Sequence, residues 1–466
     1  MFTVSFPARP HARRWPRQWA VALALCAGTL GLGAHAQQPP QALTLDSALR
    51  LAEERSRQIV AQDAAAGAAR AMAVAAGQLP DPVLKAGISN LPVNGGDRFS
   101  LTRDFMTMRS IGVMQEFTRS DKRQARAARF DREVDVAEAA RAVALANLRR
   151  DTATAWLDRY YQGRMRDLLQ TQRAELNLQI EGADAAYRGG RGTQADVFTA
   201  RSALAQLDDR IIAQERQIAT AQTRLARWVG PGTPQPSTVL PDLGSVRLDA
   251  RNLEAHIGEH PQIALMARQE AVARAEADIA QSNKRSDWTV ELMYSQRGPA
   301  YSNMVSLNVS IPLQLDQKNR QDRELAAKLA TAEQMQAQRE EATRESTAEA
   351  LSLLQQWQSN RKRLALYDSS LIPLASERTQ AVLAAYRGGA GTLSAALEAR
   401  RMEIDTRMER LRLEMETAGL WAQLEFLIPA GHPALAASAS TTTVDVKEPQ
   451  QLSLIHISEP TRQEAI

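Results

Sequence analysis

Ala185–Arg201 reads AAYRGGRGTQADVFTAR and Ala384–Arg400 reads AAYRGGAGTLSAALEAR, and the two match at ten of seventeen positions without a gap. In each copy three glycines (Gly189, Gly190 and Gly192; Gly388, Gly389 and Gly391) interrupt long runs of good helix formers. Glycine lacks a Cβ and permits a tight helix-to-helix reversal. Thr193 and Thr392 follow at once, where the cap of a returning helix belongs. The stretches therefore read as two helical tips in a chain written twice. Weaker echoes keep the same order: Asp81 with Asp287, Lys122 with Lys318, and Gln58-Ile59 with Gln262-Ile263. A proline- and glycine-rich joint, PGTPQPSTVLPDLG from Pro231, separates the halves.

Working back from the first tip, no proline occurs between Pro92 and Pro231, and from about Asp121 to Tyr187 only Gly163 and Gly182 interrupt the helix formers. Such a helix is ~100 Å long at 1.5 Å per residue. Its counterpart runs from about Lys318 to Tyr386, with Pro373 expected to kink it. Beyond the first tip, Leu204, Leu207, Ile211, Ile218, Leu225 and Trp228 follow 3-4 heptad spacing, with Gln214 and Ala221 in the remaining seam places. Long and returning helices are thus expected to pair antiparallel.

Strands are expected at the far end of the long helices. Trp288, Val290, Leu292 and Tyr294 alternate with Thr289, Glu291, Met293 and Ser295. Val305, Leu307, Val309, Ile311 and Leu313 alternate with Ser306, Asn308 and Ser310. The first half is less regular, with Leu84, Ala86 and Ile88, then Ile111, Val113 and Phe117. This period of two fits a transmembrane barrel strand and fits equally an edge hairpin of a soluble sheet. Strands that few cannot close a barrel, and open edges cannot sit in lipid, so membrane strands would require several copies to share one barrel.

Lysine and arginine exceed aspartate and glutamate by 57 to 53, but Arg9, Arg13, Arg14 and Arg17 in residues 1–36 account for the whole excess of four. No basic stripe remains for a nucleic acid. Residues 1–36 read as a secretory signal: a basic start, an apolar run from Ala20 to Gly33, and Ala34-His35-Ala36 with cleavage after Ala36. Arg13-Arg14 also admits twin-arginine export. Cys26, the single cysteine, follows Leu25 rather than the small residue a lipoprotein needs and is discarded with the signal, leaving the mature chain without a thiol. No later stretch reaches the ~18 apolar residues of a membrane helix. Ala434–Thr443 is low-complexity. Leu452–Arg462, LSLIHISEPTR, matches one reading frame of a transposon-type sequencing adapter and is taken as an artefact, so His456 carries no functional weight.

From about Leu43 to Pro429 the chain resembles the TolC-like outer-membrane efflux protein family. Leu43-Thr44-Leu45-Asp46-Ser47-Ala48-Leu49 is similar to its opening helix, Pro80-Asp81-Pro82 to its entry into the first strand, and the duplicated Tyr-Arg-Gly-Gly-x-Gly-Thr turns to its periplasmic tips. The resemblance implies a mostly α protein with a small membrane β part: long antiparallel coiled-coil helices in two repeats, and four strands per chain in a trimeric 12-stranded β-barrel. It implies an outer-membrane duct continued by a periplasmic helical tunnel, with passive efflux of small molecules or heavy-metal cations. A periplasmic membrane-fusion adaptor and an inner-membrane pump, expected to be proton-driven, would deliver the cargo. The organisation expected is a leader over 1–36 and a first repeat over 37–230, with strands near 83–91 and 109–117 and its tip at 187–193. A joint follows over 231–250. The second repeat covers 251–429, with strands near 287–295 and 304–313 and its tip at 386–392. A tail over 430–451 and the adapter-like run 452–466 complete the chain.

By the same resemblance, Tyr187, Arg188, Gly189, Gly190, Gly192 and Thr193, with Tyr386, Arg387, Gly388, Gly389, Gly391 and Thr392, would dock the adaptor, although as residues they need be no more than turns. Asp196 and Glu398 are the nearest matches to the acidic rings that narrow the family's tunnel. Asp196 is equally explained by a capping box with Thr193, and Ala395 breaks the symmetry by standing in its place in the second half. Met106, Met108 and Met114 around the first hairpin resemble the heavy-metal branch; thioethers suit copper(I) or silver, and methionine is also plain apolar filler. His256-Ile257-Gly258-Glu259-His260 satisfies a zinc-peptidase pattern, but Gly258 and Pro261 break the helix that chemistry needs. No phosphate loop, nucleophile triad or acid/base pair appears, and neither an enzymatic role nor a cofactor is expected. The rival from another class is a soluble periplasmic coiled-coil adaptor or scaffold.

Overall fold

The computed structural model describes residues 42–248 and 253–428. The leader with Cys26, residues 249–252 in and just beyond the joint, the tail from 429 and the adapter-like run with His456 lie outside the described residues. Two helices, α1 (Leu45–Arg55) and α2 (Arg57–Ala76), precede strands β1 (Val83–Ser89) and β2 (Met108–Phe117), the long helix α3 (Ser120–Arg188) and its return α4 (Gln194–Val229). The second half follows with α5 (Leu253–Ile257), α6 (Pro261–Ser282), β3 (Trp288–Gln296), β4 (Met304–Ser310), α7 (Gln321–Leu366), α8 (Ile372–Arg387) and α9 (Leu393–Glu425).

With 69 residues, α3 is about 100 Å long. Its buried Trp156, Leu157, Tyr161, Met165, Leu169, Gln172 and Leu176 recur every three or four residues. They meet the seam of α4, where Leu207, Ile211, Gln214, Ala221 and Leu225 are buried as the heptad spacing expects. The Gln214 amide donates to the Gln162 carbonyl at 2.9 Å, which satisfies the polar position on the α4 side of the seam.

The second long helix is not continuous. A five-residue π turn, Tyr367–Leu371, separates α7 from α8. Pro373 has no N–H for the carbonyl four residues back, and the wider turn ahead of it accommodates that loss. The expected kink thus takes the form of a π turn placed before the proline.

The proline-rich joint is strapped onto the main core. Leu43 donates its N–H to the Gln235 carbonyl and accepts from Ser237, both at 2.9 Å. The fully buried Trp156 indole donates to the Leu43 carbonyl at 2.8 Å, and the Trp421 indole to the Ser245 carbonyl at 3.1 Å. Leu240, Leu243 and Val246 pack on the same core, which is built from α1, α3, α4, α7 and α9 around Trp156, Trp357 and Trp421.

The strands form one antiparallel sheet in the order β1-β2-β3-β4, so both outer edges are unpaired. Period two sends Leu84, Ile88, Ile111, Val113, Leu292, Tyr294, Val305, Leu307 and Val309 to one face, and all nine are exposed. The opposite face carries Lys85, Ser110, Met114, Glu291, Ser295, Ser306 and Asn308. Expected to reach about Leu313, β4 ends at Ser310, because its register with β3 runs out at Thr289 and its other edge has no neighbour.

Candidate functional site

The two tips share one hydrogen-bond scheme. In the first, Gly189 donates to the Ala185 carbonyl, Gly190 to Tyr187, and Arg191 and Gly192 both to Ala186. In the second, Gly388 donates to Ala384, Gly389 to Tyr386, and Ala390 and Gly391 both to Ala385. Gly190 and Gly389 lie at φ of +71° and +77°, the left-handed region that side chains avoid. Gly192 and Gly391 are crowded instead: an added Cβ would come within 3.3 Å and 3.1 Å of the backbone nitrogens of Tyr187 and Tyr386.

The caps differ between the tips. Thr193 Oγ1 accepts from the Asp196 amide at 3.2 Å, while Asp196 Oδ2 accepts from the Thr193 amide at 3.0 Å, a complete capping box. The Thr193 hydroxyl and amide together hold the Asp196 carboxyl below its ordinary value. Thr392 accepts from the Ala395 amide at 3.3 Å, and alanine returns nothing. Tyr187 stands exposed, whereas Tyr386 packs against the core beneath the tips. Arg188 pairs with Asp184 at 3.2 Å.

The two carboxylates expected at a constriction are not bonded to one another. Asp196 is turned back into its own helix start. Glu398 faces an open groove between α4 and α9, lined by Phe198, Ser202 and Leu397, and pairs with Arg401 at 2.9 Å, which lowers its pKa. Beneath them lies a charge cluster that the sequence reading missed. Glu403 is buried and bound by Arg400 at 3.2 Å and Arg407 at 2.7 Å, and Arg400 also reaches Glu175 on α3 at 2.8 Å. Its only sequence signal is the i, i±3/4 spacing of arginines about Glu403, which most often marks a solvated face.

At the other end of α3, Lys122 and Asp287, singled out only as echoes of other positions, are joined. Lys122 Nζ is 2.8 Å from Asp287 Oδ2, and the Arg119 amide donates to Oδ1 at 2.9 Å. Phe117 stacks on Trp288 beside them, with ring centroids 4.6 Å apart. Lys85 and Glu291 pair across the polar sheet face at 3.0 Å. On that face Met108 and Met114 are joined by Met293 and Met304, which the sequence reading did not group with them, while Met106 precedes the strand and is exposed.

His256 lies in the last turn of α5, Gly258 in the turn that follows, and α6 begins at Pro261, so the two histidines stand on either side of a helix break. Among the described residues no helix is long and apolar enough to cross a membrane.

An antiparallel four-stranded sheet with one exposed apolar face therefore roots two very long helices that return on themselves at glycine tips. Solved structures share this arrangement. VceC, an outer membrane protein from Vibrio cholerae, is 18% identical, with a TM-score of 0.66 over 82% of this chain and 95% of its own. The Campylobacter jejuni CmeC outer membrane channel is 9% identical, with a TM-score of 0.69 over 82% of this chain and 85% of its own. The Neisseria gonorrhoeae MtrE outer membrane channel, solved in its open state, is 16% identical, with a TM-score of 0.57 over 82% of this chain and 88% of its own. The fold is TolC-like. No family model and no curated protein matches the sequence. In this TolC-like fold the sheet and the first tip lie at opposite ends of α3, about 100 Å apart.

Proposed function

We propose that the chain is one subunit of a trimeric outer-membrane channel, the exit duct of a tripartite efflux pump. One observation carries this reading: nine large apolar side chains lie exposed on one face of a four-stranded sheet whose two edges are both unpaired. In water such a face and such edges invite aggregation. In a bilayer the apolar face is solvated by lipid, and closure with further copies removes the edges. Three copies would make the 12-stranded barrel, with the two repeats of each chain continuing as a periplasmic tunnel. The polar face, with Lys85 and Glu291, would line the lumen.

Transport through such a duct is passive. A periplasmic adaptor would dock on the tips around Tyr187, Arg188, Arg387 and the capped turns, and an inner-membrane pump would supply the energy. Asp196 and Glu398 would narrow the tunnel just inside those tips. The cargo is a small molecule or a heavy-metal cation; Met108, Met114, Met293 and Met304 would offer soft sulfur to copper(I) or silver in transit.

The test is fractionation of cells expressing the chain without its adapter-like run, followed by gel mobility without heating. A detergent-extracted outer-membrane trimer supports the channel. A soluble periplasmic monomer overturns it in favour of a coiled-coil scaffold. For the tips, Arg188→Glu with Arg387→Glu is expected to abolish efflux in cells while the trimer remains in the outer membrane at its usual level.

A further inference from the structure

The two hairpins repeat one another in register. The step that carries Asp81 to Asp287 carries Val83 to Thr289, and the step that carries Lys122 to Lys318 carries Met114 to Ser310. Val83 pairs with Met114, and Thr289 pairs with Ser310. Leu84↔Val113 likewise becomes Val290↔Val309. In this mapping β1 corresponds to β3 and β2 to β4, so the β2–β3 pairing inside the chain has a counterpart between β4 and β1. Within one chain that counterpart does not exist, because β1 and β4 are the two outer edges.

The second half shows what it lacks. Against β3, β2 is paired through Phe117↔Trp288, and α3 then begins at Ser120 with Asp287 bonded to both Lys122 and the Arg119 amide. The matching segment stops early. After β4 ends at Ser310, residues 315–320 form turns, and α7 starts only at Gln321, the counterpart of Ala125. Leu313 and Leu315 are 79% and 92% exposed, which leaves them among the least covered apolar side chains of the described residues. Lys318 and Asp81 both lie exposed, with no ion pair or hydrogen bond to either side chain, whereas their counterparts Lys122 and Asp287 are bonded to each other.

We infer that β4 of one copy pairs with β1 of a second copy in the register of the chain's own β2–β3 pairing, and that Lys318 then bonds the partner subunit's Asp81 as Lys122 bonds Asp287. Ile111↔Tyr294 becomes Leu307 opposite the partner subunit's Ile88, and Val113↔Leu292 becomes Val309 opposite the partner subunit's Ala86. The pairing gives the outer edge of β4 a neighbour through Ile311, opposite the partner subunit's Leu84, and the partner's carboxylate would add a bond to Lys318 in the turn over 315–320, whose Gln317 is already held by the Lys284 carbonyl. Lysine on the outermost segment of one edge and aspartate ahead of the other also select a second copy over an unrelated strand, since charge and register must agree together.

This inference rests on the trimeric reading, and its test separates the two. Once Cys26 leaves with the leader the chain has no other cysteine, so introduced thiols report without background. Leu307→Cys combined with Ile88→Cys is expected to give reducible, covalently linked oligomers, and Leu307→Cys with Leu84→Cys is expected to give none. Lys318→Glu is expected to lower the temperature at which the trimer dissociates, and adding Asp81→Lys to restore it. Both positions are exposed in the single chain, so folding of the subunit is not at stake. A persistent trimer that links only through Leu84, or is indifferent to Lys318→Glu, overturns the register or the ion pair while sparing the channel. A wild-type chain that remains monomeric in detergent overturns both.

Discussion

Lys122 on α3 bonds Asp287 at 2.8 Å across the midline of the chain, tying the first long helix to the strand that begins the second hairpin. The lysine side chain is 6% exposed and the aspartate 18%. With so little solvent to screen it, loss of one partner leaves the other charge stranded. Lys122→Ala is expected to cost about 3–5 kcal/mol in denaturant unfolding of the detergent-solubilised protein. Replacing both partners, Lys122→Met with Asp287→Leu, is expected to recover most of that loss, because neither charge is then left buried alone.

Two glycines in the sheet should answer differently to alanine. A Cβ on Gly112 would come within 2.6 Å of the Leu292 carbonyl oxygen and 3.0 Å of the Met293 Cα, both backbone atoms of the paired strand. On Gly87 the nearest atom is the Ser110 Oγ at 3.9 Å. Gly112→Ala is expected to part β2 from β3 and abolish the heat-resistant oligomer, and Gly87→Ala to preserve it, as read on unheated gels.

At the tips, Gly190 and Gly389 have positive φ and nothing within 4 Å of an added Cβ. Strain there comes from the backbone alone. Alanine at either position is expected to cost about 1–2 kcal/mol, and asparagine, which tolerates the left-handed region, distinctly less. Amide hydrogen exchange of residues 185–193 and 384–392 reads the difference locally.

The unequal caps predict unequal sensitivity. Thr193→Ala breaks a reciprocal box and is expected to cost about 1–2 kcal/mol, against about 0.5–1 kcal/mol for Thr392→Ala. Asp196 adds a pH dependence to the first cap, whose counterpart in the second tip has Ala395 in that place. Its folded pKa lies below the ordinary 3.8, so its stabilisation is complete above that value and is lost as pH falls through the folded pKa. Exchange protection at 193–197 should therefore decline in acid, and Asp196→Asn should flatten that decline while leaving 392–396 unaltered.

Local signals made much of this fold legible from the chain alone. The runs of helix formers, the glycine tips, the threonine caps and the period-two strands each depend on neighbours within a turn or two. Their elements appear near where they were expected: α3 at Ser120–Arg188, β3 at Trp288–Gln296, and α4 with its buried Leu207, Ile211 and Leu225. Other features depend on partners distant in sequence. Glu403 looks like one more charge on a solvated helix until α3 and α9 close around it and Arg400 reaches Glu175. The joint from Pro231 reads as a linker, yet its Gln235, Ser237 and Ser245 bond Leu43 and Trp421.

The amino-acid sequence determined the length of the first long helix and the places where the helices reverse, because φ preferences, capping and side-chain period act over a few residues. Only the tertiary structure decided that Lys122 meets Asp287, 165 residues away, and that β1 and β4 are left as open edges. Those outcomes depend on sheet register, in which a shift of one residue turns every side chain to the opposite face and moves each charge away from its partner.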